Sequence, residues 1–213
     1  MMKRIERIIK ILEKRYNTEN FGKEPFKLLI STILSQRTKD EVTYKATERL
    51  LKVANKPEKI LKLSERQIEK LIYPVGFYKQ KAKRIKKVCK ILLEKYKGKV
   101  PNKRKELLKL PGVGSKTADV VLAYGFNKSV IAVDTHVAII SRRLGLTKNF
   151  DPEKIREDLH RVIPKKYRKI INLLFVNFGK EICRTIRPRC EICPIQKFCP
   201  SKSSLSNFHK LNL

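Results

Sequence analysis

An all-α chain arranged in two helical layers is the fold class this sequence predicts. Three observations predict it. Apolar residues recur at helical spacing along most of the 213 residues. No segment alternates apolar and polar residues as a half-buried strand would. Glycines and prolines such as Gly98, Pro101, Gly125 and Gly145 punctuate the periodic segments.

In chain order, Ile5, Ile8, Ile9 and Leu12 share one face of a first amphipathic helix. Pro25 opens a very apolar run, Phe26 to Leu34, that reads as a buried helix. Periodic segments follow at Glu41–Val53, Ser64–Ile72 and Lys81–Tyr96. Ser64 is an N-cap with Gln67 in the capping-box position three residues on. Two arms, Lys103–Leu110 and Ser115–Tyr124, flank a glycine hairpin, and Gly125 ends the second. Asp134 begins Thr135–Leu144, which stops at Gly145. Helices over Pro152–Ile163 and Lys165–Phe178 lead to a cysteine-rich tail, and the polar residues from about Lys202 are expected to fray. The apolar helices between Pro25 and Val130 suit one layer. The first helix would return to pack with everything after Ile131 in the second.

Lysine and arginine number 51 against 20 acids, a net charge of +31. Such an excess in one globular chain points to a polyanionic partner, nucleic acid before membrane. No apolar run approaches the roughly 18–20 residues needed to span a bilayer, and the N-terminus has no secretory h-region. The expected setting is intracellular, cytoplasmic or nucleoid-associated, where clustered cysteines indicate metal before disulfides.

The hairpin Leu110-Pro111-Gly112-Val113-Gly114-Ser115-Lys116-Thr117 is followed, eighteen residues after its lysine, by Asp134 in Val133-Asp134-Thr135-His136. It is not a nucleotide P-loop. That motif needs glycine where Leu110 and Ser115 stand, and a strand ahead of it. Gly112 and Gly114 let the backbone approach a phosphate, with Ser115 beside them. Lys116 enters the first turn of the next helix, and Asp134 starts another. An amine nucleophile, a carboxylate and a phosphate grip are what chemistry on a nucleic-acid sugar requires. Asp134 is equally a good N-cap, and His136 reads as a structural neighbour.

Four of the five cysteines fall in Cys183-x6-Cys190-x2-Cys193-x5-Cys199. Four thiolates this close can surround zinc or an iron–sulfur cluster, and spacing alone does not choose. With all four positions filled, the metal would be structural. Arg184, Arg187 and Arg189 lie between the first two ligands, on a loop that a metal would hold rigid for phosphate contact. Cys89 reads as a small core residue.

Together these residues resemble endonuclease III, within the helix–hairpin–helix superfamily of DNA base-excision glycosylases. The likeness runs from about Phe26 to Cys199. It rests on the Leu-Pro-Gly-Val-Gly-x-Lys-Thr hairpin, the Val-Asp-Thr-His segment and the cysteine spacing. It implies a six-helix domain (residues 22–130, with the helix–hairpin–helix at about 103–124) and a discontinuous helical domain (1–21 and 131–213). A [4Fe–4S] cluster would sit on residues 183–199, and DNA in a cleft between the domains.

The resemblance implies excision of oxidised pyrimidines from double-stranded DNA, then strand cleavage by β-elimination at the abasic site, with a monomer sufficing. Lys116 takes the nucleophile's position and Asp134 the assisting carboxylate's. Related mismatch glycosylases for thymine or uracil commonly carry another residue at the lysine position, so Lys116 favours the bifunctional reading. A non-catalytic DNA-binding protein and a small electron carrier are the alternatives of other classes. In Ser35-Gln36-Arg37-Thr38-Lys39-Asp40 this chain departs from the family's Ser-x-Gln-Thr-x-Asp, because Arg37 occupies the glutamine position. Either Gln36 or Arg37 would fill the gap left by an extruded nucleotide. Phe77, after Gly76, corresponds to the second wedge, with ordinary core packing as its alternative.

Overall fold

Prolines and short polar caps set many of the helix starts. Pro25, Pro57 and Pro152 each stand in the first turn of a helix, where the missing N–H costs nothing. Ser64 accepts from Gln67 N–H while the Gln67 side chain takes the Ser64 N–H, closing the capping box. The computed structural model describes residues 2–18 and 24–202. Among them every regular element is helical, and no helix is long and apolar enough to cross a membrane. The polar tail expected to fray lies almost wholly outside the described residues, as does the domain boundary expected at 21–22.

The chain divides into two units, Phe21–Asn127 and a discontinuous one of Met1–Asn20 with Lys128–Leu213. The first carries α2 (Pro25–Ser35), α3 (Asp40–Val53), α4 (Pro57–Lys62), α5 (Glu65–Ile72), α6 (Tyr78–Tyr96), α7 (Arg104–Leu107) and α8 (Ser115–Val120). Its core forms where α2 packs on α3 and α6, and where α4 and α5 pack on α6. Leu29, Ile30, Ile33, Ile68, Ile85 and Val88 are fully buried there. Cys89 is buried too, and its thiol is pushed up to about 12 by desolvation, as an inert core residue's would be.

Four elements differ from the sequence expectation. Helix α4 is additional; its six residues bury only Pro57 and Ile60, too short a run for periodicity to declare. Helix α6 starts at Tyr78 rather than Lys81, directly after Phe77 in left-handed conformation. The first hairpin arm is helical only over Arg104–Leu107, and tighter turns carry it on to Leu110. The second arm passes from α8 into a π-helical turn, Val121–Gly125.

The second unit carries α1 (Met2–Glu13), α9 (Thr135–Arg143), α10 (Pro152–Val162) and α11 (Lys165–Glu181). Ile5, Ile8, Ile9 and Leu12 of α1 are all fully buried, and α1 packs on α11. The contact is reinforced by the Glu181 carboxylate, which accepts from the Arg15 guanidinium and, at 2.7 Å, from the Tyr16 hydroxyl. Those donors hold the Glu181 carboxyl down to about 2.

Helix α11 also packs on α9, and Gly179 makes that approach possible. A Cβ at Gly179 would stand 2.3 Å from Nδ1 and 2.9 Å from Cγ of His136. His136 therefore packs against α11, two residues beyond Asp134. Helix propensity alone would make Gly179→Ala stabilising by about 1 kcal/mol. We expect the opposite sign, a loss of about 1–3 kcal/mol from overpacking, read as a lower urea midpoint.

Candidate functional site

The hairpin begins with its anchors. Leu110 and Val113 are buried, and the Val113 N–H closes a turn on the Leu110 carbonyl at 3.1 Å. Gly112 between them has φ +78°, and a side chain there would also collide with Arg84, whose Cδ lies 2.1 Å from the Cβ position. Gly114 is exposed and caps α8, its carbonyl accepting from the Ala118 N–H. Arg104 braces the two arms. Its Nε donates to Asp119 Oδ1 at 3.1 Å, and Nη2 donates to Ser115 Oγ at 2.9 Å. Asp119 is only 1% exposed, so this ion pair is fixed inside the hairpin. Ser115 is thus engaged by the brace, while Lys116 projects from the first turn of α8 and is exposed.

The Ser35–Asp40 turn joins the hairpin through Gln36. The Gln36 side-chain amide donates to the Gly112 carbonyl at 2.8 Å, and its Oε1 accepts from Arg84 Nη1 at 3.3 Å. Of the two candidates for filling a gap in the base stack, Gln36 is bound to the hairpin. Arg37 is the one turned outward, exposed and at φ +51°. Phe77 is 55% exposed, not packed in the core, and is also left-handed at φ +57°. The Arg37 guanidinium carbon lies 5.9 Å from the Phe77 ring centroid, so the two side chains stand together.

Sequence reasoning missed the residue beneath them. Lys81 is 2% exposed, and its ammonium donates to the Leu34 carbonyl (2.7 Å), the Gln36 carbonyl (2.6 Å) and Thr38 Oγ1 (3.1 Å). Desolvation first, then the charge of Arg84, lowers its pKa to about 8. One lysine among so many has no distinguishing neighbour in the sequence.

In the other unit, Asp134 is half-buried and caps α9, its Oδ1 accepting from the Val137 N–H at 2.9 Å. The cysteines gather at the far end of that helix. Cys183, Cys190, Cys193 and Cys199 line one apolar cavity with Ile140, Phe178, Ile182 and Ile195. None is in a disulfide. Burial and the neighbouring sulfurs raise the thiols of Cys183 and Cys190, and bring Cys193 to about 11. Among the described residues, no three His, Cys, Asp or Glu side chains are grouped as a single metal ion would require.

Arg143, the last residue of α9, shapes this loop and was also invisible in the sequence. Its Nη1 donates to the carbonyls of Cys183 and Arg184 and, at 3.3 Å, to Cys183 Sγ; Nη2 donates to the Thr185 carbonyl. Arg184, Arg187 and Arg189 are all exposed on the loop so held.

Residues 30–165 match the HhH-GPD superfamily of base excision DNA repair proteins. Endonuclease III of Thermotoga maritima is 45% identical over 195 residues, 92% of each chain. The chain belongs to the endonuclease III family of the HhH-GPD superfamily. Its fold is that of a trapped endonuclease III–DNA covalent intermediate, with a TM-score of 0.87 at 33% identity over 96% of this chain and 98% of the other. A thermostable thymine-DNA glycosylase also matches, at 26% identity and a TM-score of 0.86, over 95% of this chain and 98% of that one.

The single guanidinium of Arg143 donates to three loop carbonyls, those of Cys183, Arg184 and Thr185. Arg143→Ala is expected to raise amide hydrogen exchange over residues 183–189 by at least about tenfold, as loss of charged hydrogen bonds implies. Exchange monitored by mass spectrometry checks this, with α2 and α6 as internal reference.

Proposed function

We propose that this chain excises oxidised pyrimidines from double-stranded DNA as a bifunctional glycosylase and AP lyase in base excision repair. The observation that carries the reading is Lys116, exposed in the first turn of α8 directly after the glycine hairpin, in a chain belonging to the endonuclease III family. The hairpin backbone at Gly112 and Gly114 would hold a phosphate and fix register without reading sequence. Arg37 and Phe77 would occupy the space of the extruded nucleotide, offsetting a cost of a few kcal/mol. Arg184, Arg187 and Arg189 would add phosphate contacts.

As the neutral amine, Lys116 Nζ attacks the sugar C1′ and the base leaves with the electron pair of its glycosidic bond. Nζ then loses a proton, and the C1′–O4′ bond breaks as O4′ takes a proton, opening the sugar ring to a protonated imine at C1′ that acidifies the C2′ hydrogen. Removal of that hydrogen expels the 3′ phosphate by β-elimination. Asp134 would stabilise positive charge developing on the sugar or help activate Lys116, through the carboxylate oxygen not spent on the Val137 N–H. His136, packed on α11, serves structure. The substrate would place the protein on cytoplasmic, nucleoid DNA, and one chain suffices for one lesion.

Family membership favours a [4Fe–4S] cluster over zinc at the four cysteines. The four thiols line one apolar cavity, and the spacing Cys183-x6-Cys190-x2-Cys193-x5-Cys199 matches the family's cluster motif. A cluster bound there would be structural, pinning the arginine loop.

The thymine-DNA glycosylase gives the second reading, mismatch repair, and Lys116 favours the bifunctional one. Incubation with a duplex carrying an oxidised thymine, followed by borohydride, is expected to trap a covalent adduct. Lys116→Ala should abolish it and lower strand cleavage by about a thousandfold or more. Base release without an adduct would instead make the protein monofunctional, and neither release nor adduct would leave a DNA-binding protein. Separately, the purified protein is expected to absorb broadly in the visible through iron–sulfur charge transfer, and Cys193→Ser to lose that absorbance. A colourless protein containing zinc would overturn the cluster assignment.

A further inference from the structure

We infer that Lys81 is a positioning residue for base extrusion: its buried ammonium clasps the Gln36–Thr38 turn to the Gly76–Phe77 turn, so that Arg37 and Phe77 enter the duplex as one preset pair. The inference rests on reading those two residues as the wedges.

The geometry is specific. An ammonium has three N–H donors, and here three acceptors meet them: the carbonyls of Leu34 and Gln36 and the hydroxyl of Thr38. These acceptors lie on both sides of Arg37. Thr38 Oγ1 is shared, because it also accepts from the Gly76 N–H at 3.1 Å. The Lys81 backbone N–H in turn donates to the Phe77 carbonyl at 3.0 Å. With its side chain one residue therefore reaches the main chain before Arg37 and the Thr38 hydroxyl after it, and with its own backbone the Phe77 carbonyl.

No carboxylate is among the acceptors of this ammonium; the other charge facing it is Arg84 on its own helix, which is itself engaged with Gln36. A buried cation held only by neutral acceptors is costly relative to an apolar chain of the same length. A methionine would fill the space without that cost, but would take the ammonium donor from the Leu34 carbonyl and leave the Gln36 carbonyl with the Thr38 hydroxyl alone at 3.3 Å. What the lysine supplies is order in the two turns. Turns already fixed in the inserting conformation need not lose that freedom on binding, so insertion competes better with restacking of the base.

The test uses a duplex with 2-aminopurine beside the oxidised thymine, whose fluorescence rises as the stack opens, in single-turnover mixing. Lys81→Met is expected to slow extrusion about tenfold or more, the scale of losing hydrogen bonds from a charged donor. That deficit should exceed the deficit in borohydride trapping on a single-stranded abasic oligonucleotide, where no base is extruded. Thr38→Val, which removes only the shared hydroxyl, should shift the same ratio in the same direction by less, and decides the matter should Lys81→Met not fold.

Equal losses on both substrates, or extrusion at the wild-type rate, would overturn the clasp. Arg37→Ala and Phe77→Ala separate the two levels. If both extrude normally, the wedge reading itself fails and the clasp with it. If both are slow while Lys81→Met and Thr38→Val are fast, the clasp alone fails.

Discussion

The end of α2 is the point on which the first unit depends. A helix leaves its last carbonyls without intrahelical partners, and burying that end requires a donor from elsewhere. The donor here is an amine from α6. Lys81 reaches the Leu34 and Gln36 carbonyls and so terminates α2 from across the fold, where the positive charge also complements the helix dipole. The turn it fixes sends the Gln36 side chain inward to the Gly112 carbonyl. Hairpin, Gln36–Thr38 turn and Gly76–Phe77 turn are thereby one connected body: Gly112 is tied to Gln36, Gln36 to Arg84 and Lys81, and Lys81 to the backbone of Phe77.

The second unit is organised around α9 in the same economical way. One residue before it, Asp134 is held by the first turn it caps. At its last residue, Arg143 holds the cysteine loop. Nine residues separate the functions, and at 1.5 Å per residue the helix is about 13 Å long. Close packing of α11 at Gly179 fixes where that rod lies within its unit. The candidate carboxylate and the arginine loop therefore take their positions from the same short element.

Much of this was legible in the sequence, for local reasons. The hairpin glycines, the Ser64–Gln67 capping box and the cysteine spacing are each declared by residues a few positions apart. The apolar faces of α1 and α2 follow from periodicity. What was not legible depends on partners distant in sequence. Lys81 looks like every other lysine on a basic helix until Leu34 and Thr38 are brought to it. Arg143 acquires a role only when Cys183–Thr185 fold back over the end of α9. Gln36 and Arg37 were interchangeable as letters, and only the Gly112 carbonyl decides which one turns inward.

Arg37 and Phe77 also show how the molecule divides its interests. Both occupy the left-handed region, where an L side chain is disfavoured by about 1–2 kcal/mol and glycine is not. Glycine at either position would give a more relaxed loop and a sturdier protein, yet one with nothing to present. The chain keeps a guanidinium and a phenyl ring there at the expense of its own stability. Two of the strained points of its surface are then the tips proposed to enter the duplex, and variants selected only for heat resistance would tend to blunt them.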